Sequence, residues 1–530
     1  MLIETLLTKL VEKSLQRAGV YSWLFNPSNV KKRTYIWENI AAASPNSTEH
    51  YSRLKRGEYL VFGNITPEDG IYSRSYYDTP FWKTHWTDRD PKDFWEIARG
   101  WQWSAAYFEA KLFGEENLVV DIIHEWFKRN PYPNGLGWAV GLEVAIRAIN
   151  LYIIACDKED TGFGPLLDQH TDFLKKTLWI SRHAIRNNHY LGELVALAIL
   201  TKKKTRKVEK EIKRQFLEDG VNIEQSIQYH RFSLEFLIIA QELLSIHSES
   251  LLKALFFLDA IEKPDGSFPN IGDNDEGCVC PIITDPFFEG RNRIRAGAWQ
   301  FEEGGFFIYK TEESYFLVKF GPHRWHAHAD LFHIELSVDR NDILVDSGTY
   351  RYNSCIKERK YYRSTQAHNT LEWNGKDQTK QWRTFRWKTP AKVIQWETDH
   401  TDCELRFQGV LQGFDFSRVK HTRVINLKRD FSVLCVRDKI AGAETGVAKV
   451  YWHFDPGISL VRDPGKILLL KNEIMVGKII IHSEEPSDIE IKETLYSKAY
   501  GHQLNKKTLV ITAQKPDQNS IKIETTFLKS

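Results

Sequence analysis

Residues Gly321–Tyr350 read GPHRWHAHADLFHIELSVDRNDILVDSGTY. Four histidines (His323, His326, His328 and His333) and two acids (Asp330 and Asp346) stand here among strand-forming residues. Ionisable groups are costly in a core unless they are paired, bind a metal or carry protons. The runs FHIELSV and DILVDSG, separated by the turn residues DRND, predict a hairpin. This stretch decides the second half of the chain: a β-domain built around a polar cluster.

Downstream the pattern holds. HNTLEW, FSVLCVRDKI, AKVYWHF, KIIIHS, TLVITA and IKIETTF are short β-patterned runs separated by turns such as Asn374-Gly375 and Asp463–Gly465. Together with GGFFIYK and SYFLVKF just upstream, they predict an antiparallel β-sandwich over 295–530. Earlier in the chain the period changes. DPKDFWEIARGWQWSAAYFEAKLF, VVDIIHEWFKRN, GLEVAIRAINLYIIACDK and TDFLKKTLWISRHAIRNN are amphipathic or apolar helical segments with short connectors, and more follow. They predict helical hairpins over 91–290, arranged as a bundle or an incomplete α/α toroid. Residues 1–90 are expected to add one amphipathic helix and an irregular segment packed on those helices. The fold class is α+β multidomain, helices first and strands second.

Lys+Arg number 72 and Asp+Glu 70, for a net charge of +2. That balance argues against nucleic acid as a bulk partner. No uncharged apolar run is long enough to span a bilayer. The N-terminus MLIETLLTKLVEKSLQRAGV has no secretory pattern, so a cytoplasmic location is expected, or a periplasmic one if the sequence is trimmed of a leader. The six scattered cysteines are expected to be free thiols, since Cys278-Val-Cys280 is not a structural zinc spacing. Nine of the 17 tryptophans precede residue 140; flat amphipathic rings suit sugar faces as well as cores.

Several motifs could carry chemistry, each beside a plainer reading. In RNNHYLGE, Asn187 or Asn188 can cap a helix, and His189 and Glu193 share a face of it. In EQSIQYH, Tyr229 and His230 are a possible proton-transfer pair or core aromatics. Glu143 and Arg147, four apart, are a structural ion pair or a carboxylate-binding site. On a strand, His326 and His328 would point to one face; with Asp346 and His368 they could hold a divalent ion such as zinc. A straight hairpin opposes this, because it pairs Asp346 with Glu335 and leaves His328 some 20 Å away at about 3.3 Å per residue. The chain before Leu331 must therefore bend back. GDNDEG (Gly272–Gly277) reads as a solvated turn, although Asp273 and Asp275 are the one carboxylate pair that suits a glycoside hydrolase.

Taken together, DPKDFWEIAR, GLGWAVGLEVAIRAIN, NNHYLGE, HAHAD, VDSGTY and AHNT resemble the heparinase II/III family of polysaccharide lyases, from about Phe81 to about Phe454. The resemblance implies an α/α toroid followed by a β-sandwich. It also implies cleavage of an acidic, uronate-containing polysaccharide or oligosaccharide by β-elimination. Carried over by motif, Asn188 and His189 are the carboxylate or base candidates, Tyr229 the general acid and His326 a histidine at the reaction centre. His328, Asp346 and His368 correspond to a structural zinc site. Glu143, Arg147 and Glu193, with Arg324 and Arg363, are the substrate-binding candidates. Relatives without an export signal occur in bacterial surface-polysaccharide biosynthesis loci. They supply the alternative of a non-catalytic glycan-binding or assembly protein.

Overall fold

The computed structural model describes residues 49–67, 90–291, 293–415, 418–442, 444–485, 487–515 and 520–530. The helix expected over 1–25 and most of the irregular segment to residue 90 lie outside them, as do Trp23, Trp37, Trp82 and Trp86. Two compact units emerge. The first holds the residues up to Gln215 with Arg231–Leu252 and Gly277–Asn292; the second holds Phe216–His230, Lys253–Glu276 and Arg293–Ser530. All six cysteines are free. No described helix is long and apolar enough to cross a membrane.

The first unit is helical, with the packed hairpins of an incomplete α/α toroid. In the helix Glu116–Arg129, Val119, Val120, Ile123, Trp126 and Phe127 form the buried stripe, as their three- and four-residue spacing requires. The helix Gly141–Asp157 is apolar nearly all round and buried from Leu142 to Cys156. It packs against Gly164–Ile180 and Asn188–Thr201. Trp103, Trp126 and Trp138 are fully buried here.

The second unit is antiparallel. Its first five strands, from Gly297–Phe301 to Asn341–Leu344, form a meander in chain order. An eight-stranded sheet takes Lys392–His400, Glu404–Gln412, Lys420–Lys428, Val433–Ala441, Ile521–Lys529, Ile474–Ser483, Lys466–Lys471 and Ile458–Asp463 in that spatial order. A four-stranded sheet runs Ser487–Tyr496, Leu504–Lys515, Gly446–His453 and Leu371–Trp373. Strand Glu404–Gln412 alternates strictly between buried and half-buried positions, sending Leu405, Phe407 and Leu411 inward. These join Phe316, Val318, Trp373, Ile425 and Trp452 in one hydrophobic core.

The buried charges Arg423 and Asp438 on the inner sheet face are paired. Arg423 forks onto Asp438 at 2.7 and 2.8 Å and donates from Nη1 to the carbonyls of Phe332 and Asn369. That fully buried guanidinium ties the sheet to the segments following HAHAD and AHNT. Asn369 donates to the carbonyls of Ile334 and Val345 and accepts from the backbone of His453. The asparagine of AHNT thus stitches three chain segments together, which satisfies buried backbone groups that no ladder reaches.

Candidate functional site

The HAHAD segment is not a strand. Residues 321–333 form a loop between the strands Tyr315–Lys319 and Ile334–Val338. It turns back where Phe332 takes a left-handed φ of 63° and His333 N donates to the Asp330 carbonyl. Asp346 lies beyond the last ladder pair, Leu336 with Leu344, and its backbone N–H donates to Glu335 Oε1 at 3.1 Å. The loop reversal, not the strand register, brings His328 to it. Candidate ligand atoms of His328, Asp346 and His368 all lie within 4.8 Å of one another, and all three residues are buried. His368 Nδ1 is 2.7 Å from Asp346 Oδ2. His328 Nδ1 and His368 Nε2 are buried with no hydrogen-bond partner. Burial pulls the His328 imidazole down to about 4, which keeps it neutral, the form that ligates a metal. Two orphaned imidazole nitrogens beside a carboxylate are a donor set that fits a divalent cation.

Tyr229 stands in the first turn of the helix that starts at Ile227, and its backbone N–H is capped by Ser226 Oγ at 3.1 Å. Its ring lies flat on His326, with centroids 3.7 Å apart and planes within 10°. The partner expected from sequence was the adjacent His230. That residue is a structural histidine: Nδ1 accepts from Asn222 N–H and Nε2 meets the Ala254 carbonyl. Tyr352 donates to the Tyr229 hydroxyl at 3.3 Å. His326 sits between two carboxylates, with Asp273 at 2.9 Å from Nδ1 and Glu224 at 3.3 Å from Nε2.

Asp273, read from sequence as part of a solvated turn, is the fully buried centre of this cluster. It meets His326 and His328, both at 2.9 Å, and takes both Nη atoms of Arg359. Burial opposes its ionisation, but Arg359 and the two histidines prevail and hold its carboxyl well below the usual range. One carboxylate therefore orients both histidines of HAH. Gly272 makes this possible. At φ +75°, a Cβ would lie 2.8 Å from the His326 carbonyl and 2.9 Å from that of Gln225. The strand of chain carrying Asp273 fits only without a side chain there. The available signals were the glycine beside the acid and the Arg359–Arg363 spacing on the helix Ile356–Arg363; neither names its partner.

In the first unit the NNH motif sits where a helix changes. Gly164–Ile180 widens into a π turn at Ser181–Ile185, and Arg186 takes a left-handed φ of 43°. Asn187, not Asn188, caps the next helix by accepting from His189 N–H. Asn188 is buried and His189 half-buried. Glu193 is buried, accepts from Ser181 Oγ at 2.9 Å and is pushed by burial up to about 8.

Three substrate-binding expectations need correction. Glu143 is buried and paired with Arg99, which also holds Glu96, so DPKDFWEIAR and GLE meet in an internal ion network. Arg147 is 0% exposed and donates to the Ala98 and Gly137 carbonyls and to His170; it braces the helices and offers no face to a ligand. Glu193, buried against the space left by Gly141, is likewise internal. Arg324 is exposed, while Arg363 is buried beneath the Trp387 ring, 4.1 Å from its centroid.

Residues 293–524 match the family described as heparinase II/III-like, C-terminal. Among solved structures, heparinase III is similar over 98% of this chain and 91% of its own, at 15% identity and TM-score 0.68. The heparan sulfate lyase HepC of Pedobacter heparinus covers 98% and 88%, at 16% and 0.58. A chondroitin AC lyase of Streptomyces coelicolor A3 covers 91% and 79%, at 10% and 0.50. At these identities the likeness carries the fold. No curated protein is significantly similar in sequence.

Proposed function

We propose that the protein is a polysaccharide lyase that cleaves a uronate-containing glycan by β-elimination, a reading supported by the match of residues 293–524 to the heparinase II/III-like C-terminal family. The observation that carries the reading is the Tyr229–His326 stack braced by Asp273. Elimination needs a base for the C5 proton, neutralisation of the adjoining carboxylate and an acid for the departing O4. Tyr229 delivers its proton to O4 as the C4–O4 bond breaks. The Tyr352 hydroxyl, donating to the same oxygen, stabilises the phenolate left behind. His326 takes the C5 proton at Nε2, since Asp273 occupies Nδ1, and Glu224 stabilises the ring once it carries that proton. The electron pair of the C5–H bond becomes the C4=C5 double bond. Asn188 and His189 are assigned to the substrate carboxylate on the resemblance alone.

His328, Asp346 and His368 would hold a zinc ion, on the strength of the orphaned nitrogens. Its contribution would be to tie the HAHAD loop to the strands behind it, with Asp273 linking that site to His326. Hydrolysis fits less well: Asp273, the better placed acid of its pair, is occupied by Arg359 and two histidines. The test is a panel of uronate polysaccharides followed by ultraviolet absorbance of the unsaturated product. Absorbance that grows with the wild type and not with Tyr229→Phe supports the reading. New reducing ends without absorbance would replace it with hydrolysis.

A further inference from the structure

The hairpin Lys380–Arg383 and Arg386–Thr389 belongs to none of the large sheets; its two strands pair only with each other. Its sequence, KQWRTFRWKT, has four basic residues, three aromatics and no acid. A lone two-stranded ribbon is marginal in water, and this one is held by its inner side. Phe385 packs edge-on against His326 and Tyr352, at 5.3 and 5.2 Å. The carbonyls of Thr384 and Arg383 accept from Arg359 and Arg363. Trp387 donates to the Arg324 carbonyl. The hairpin thus rests on the stacked pair that the proposed chemistry uses.

The outer side is more exposed. Trp382 is 41% exposed, with the exposed Arg383 guanidinium 4.8 Å above its ring. Arg383 and Arg386 are register partners across the ladder, an arrangement that costs stability because like charges directly opposite repel. Arg383 has no ion-pair partner among the described residues. Beneath the hairpin, Arg363 is 1% exposed, yet its Nε and Nη2 are buried without a partner. The exposed Arg383 guanidinium, without an ion-pair partner among the described residues, and the buried Arg363 guanidinium that donates to the Arg383 carbonyl, both put positive charge at this hairpin.

We propose that this hairpin is the arm that grips the acidic glycan. Arg383 and Arg386 take a carboxylate or sulfate of a sugar neighbouring the one at Tyr229 and His326, Trp382 stacks on a sugar ring, and Arg363 adds positive charge from below. The placement and the choice of a glycan rest on the lyase reading; the preference for an anionic ligand does not. Nucleic acid also suits basic and aromatic surfaces, but a tip seated on the Tyr229–His326 pair favours a glycan.

The test is binding in the Tyr229→Phe background, where ligand is not consumed. The probes are heparan sulfate, unsulfated polyglucuronate, neutral dextran and a single-stranded DNA oligonucleotide. Salt-sensitive binding to the acidic glycans and none to dextran is expected. Trp382→Ala and Arg383→Gln should each weaken it about fivefold or more, with melting unchanged, and Trp382→Phe should restore it. In the wild-type background both should raise KM and leave kcat alone. Unaltered affinity in both variants overturns the proposal, as does failure to bind any acidic glycan. DNA bound more tightly than the glycans, through the same residues, overturns the choice of glycan. Weakened binding with no ultraviolet product from any glycan keeps the arm and removes the lyase reading. Sulfate and carboxylate are told apart by heparan sulfate against polyglucuronate.

Discussion

Replacing Asp273 by Asn tests the central claim about the site. Asparagine keeps the shape and removes the charge. Arg359, 3% exposed and aligned on both carboxylate oxygens, would be left as a buried cation facing an amide. Breaking a buried pair from one side costs about 3–5 kcal/mol, because the surviving charge stays desolvated. The two histidines lose a charge-assisted partner as well. For a unit of this size each kcal/mol is about 2–4 °C, so the transition of the second unit should fall by roughly 6–20 °C in calorimetry. The exposed pair Lys522–Glu484 is the control: Glu484→Gln should cost under about 1 kcal/mol. The double variant Asp273→Asn with Arg359→Met removes both charges and should recover part of the loss. An Asp273→Asn protein that melts within about 2 °C of wild type, or a double variant no better than the singles, would refute the placement of Asp273 at the centre of a charged, buried cluster.

Four further outcomes follow from the geometry. Tyr229→Phe and His326→Ala should abolish formation of unsaturated product while the protein stays folded, by circular dichroism; turnover retained in either removes that residue from the chemistry. Purified protein should carry about one equivalent of zinc by elemental analysis, and chelation or His328→Ala should lower the melting temperature, whereas an equally stable metal-free wild type would contradict the ligand set. Glu193 titrates near 8 in the folded chain against an ordinary value of 4.5. The folded state therefore holds its proton longer, and the stability this confers is complete below about pH 4.5 and lost as pH rises through about 8. Glu193→Gln should flatten that decline, and parallel pH–stability curves for the two proteins would rule it out. Gly272→Ala, with a Cβ 2.8 Å from the His326 carbonyl, should destabilise the second unit and impair turnover together.

Asp273 joins two assignments that sequence kept apart. His326 was expected at the reaction centre and His328 at the metal, as neighbours in one motif. The structure gives them one carboxylate, with Oδ2 on His326 and Oδ1 on His328. On the proposed reading, a change at His328 would be felt at His326 through this one side chain.

The sequence by itself determined where helices give way to strands, because periodicity is a local property, while it left bundle and toroid open. The three- and four-residue spacing of Val119, Ile123 and Trp126 can bury one face only as a helix, and the alternation through Leu405, Phe407 and Leu411 only as a strand. The HAHAD, VDSGTY and AHNT motifs likewise singled out His328, Asp346 and His368, which the fold brings together. The tertiary structure alone decided which charges face one another. Glu143 and Arg147 carried the pattern of a carboxylate site, yet Arg99 and backbone carbonyls, distant in sequence, had already claimed them. Asp273 looked like a solvated turn because nothing within ten residues reveals Arg359, 86 positions away. His328 reached Asp346 through a reversal at Phe332 that no strand register encodes. Pairing energies depend on distance and burial, which the folded chain sets and sequence spacing does not.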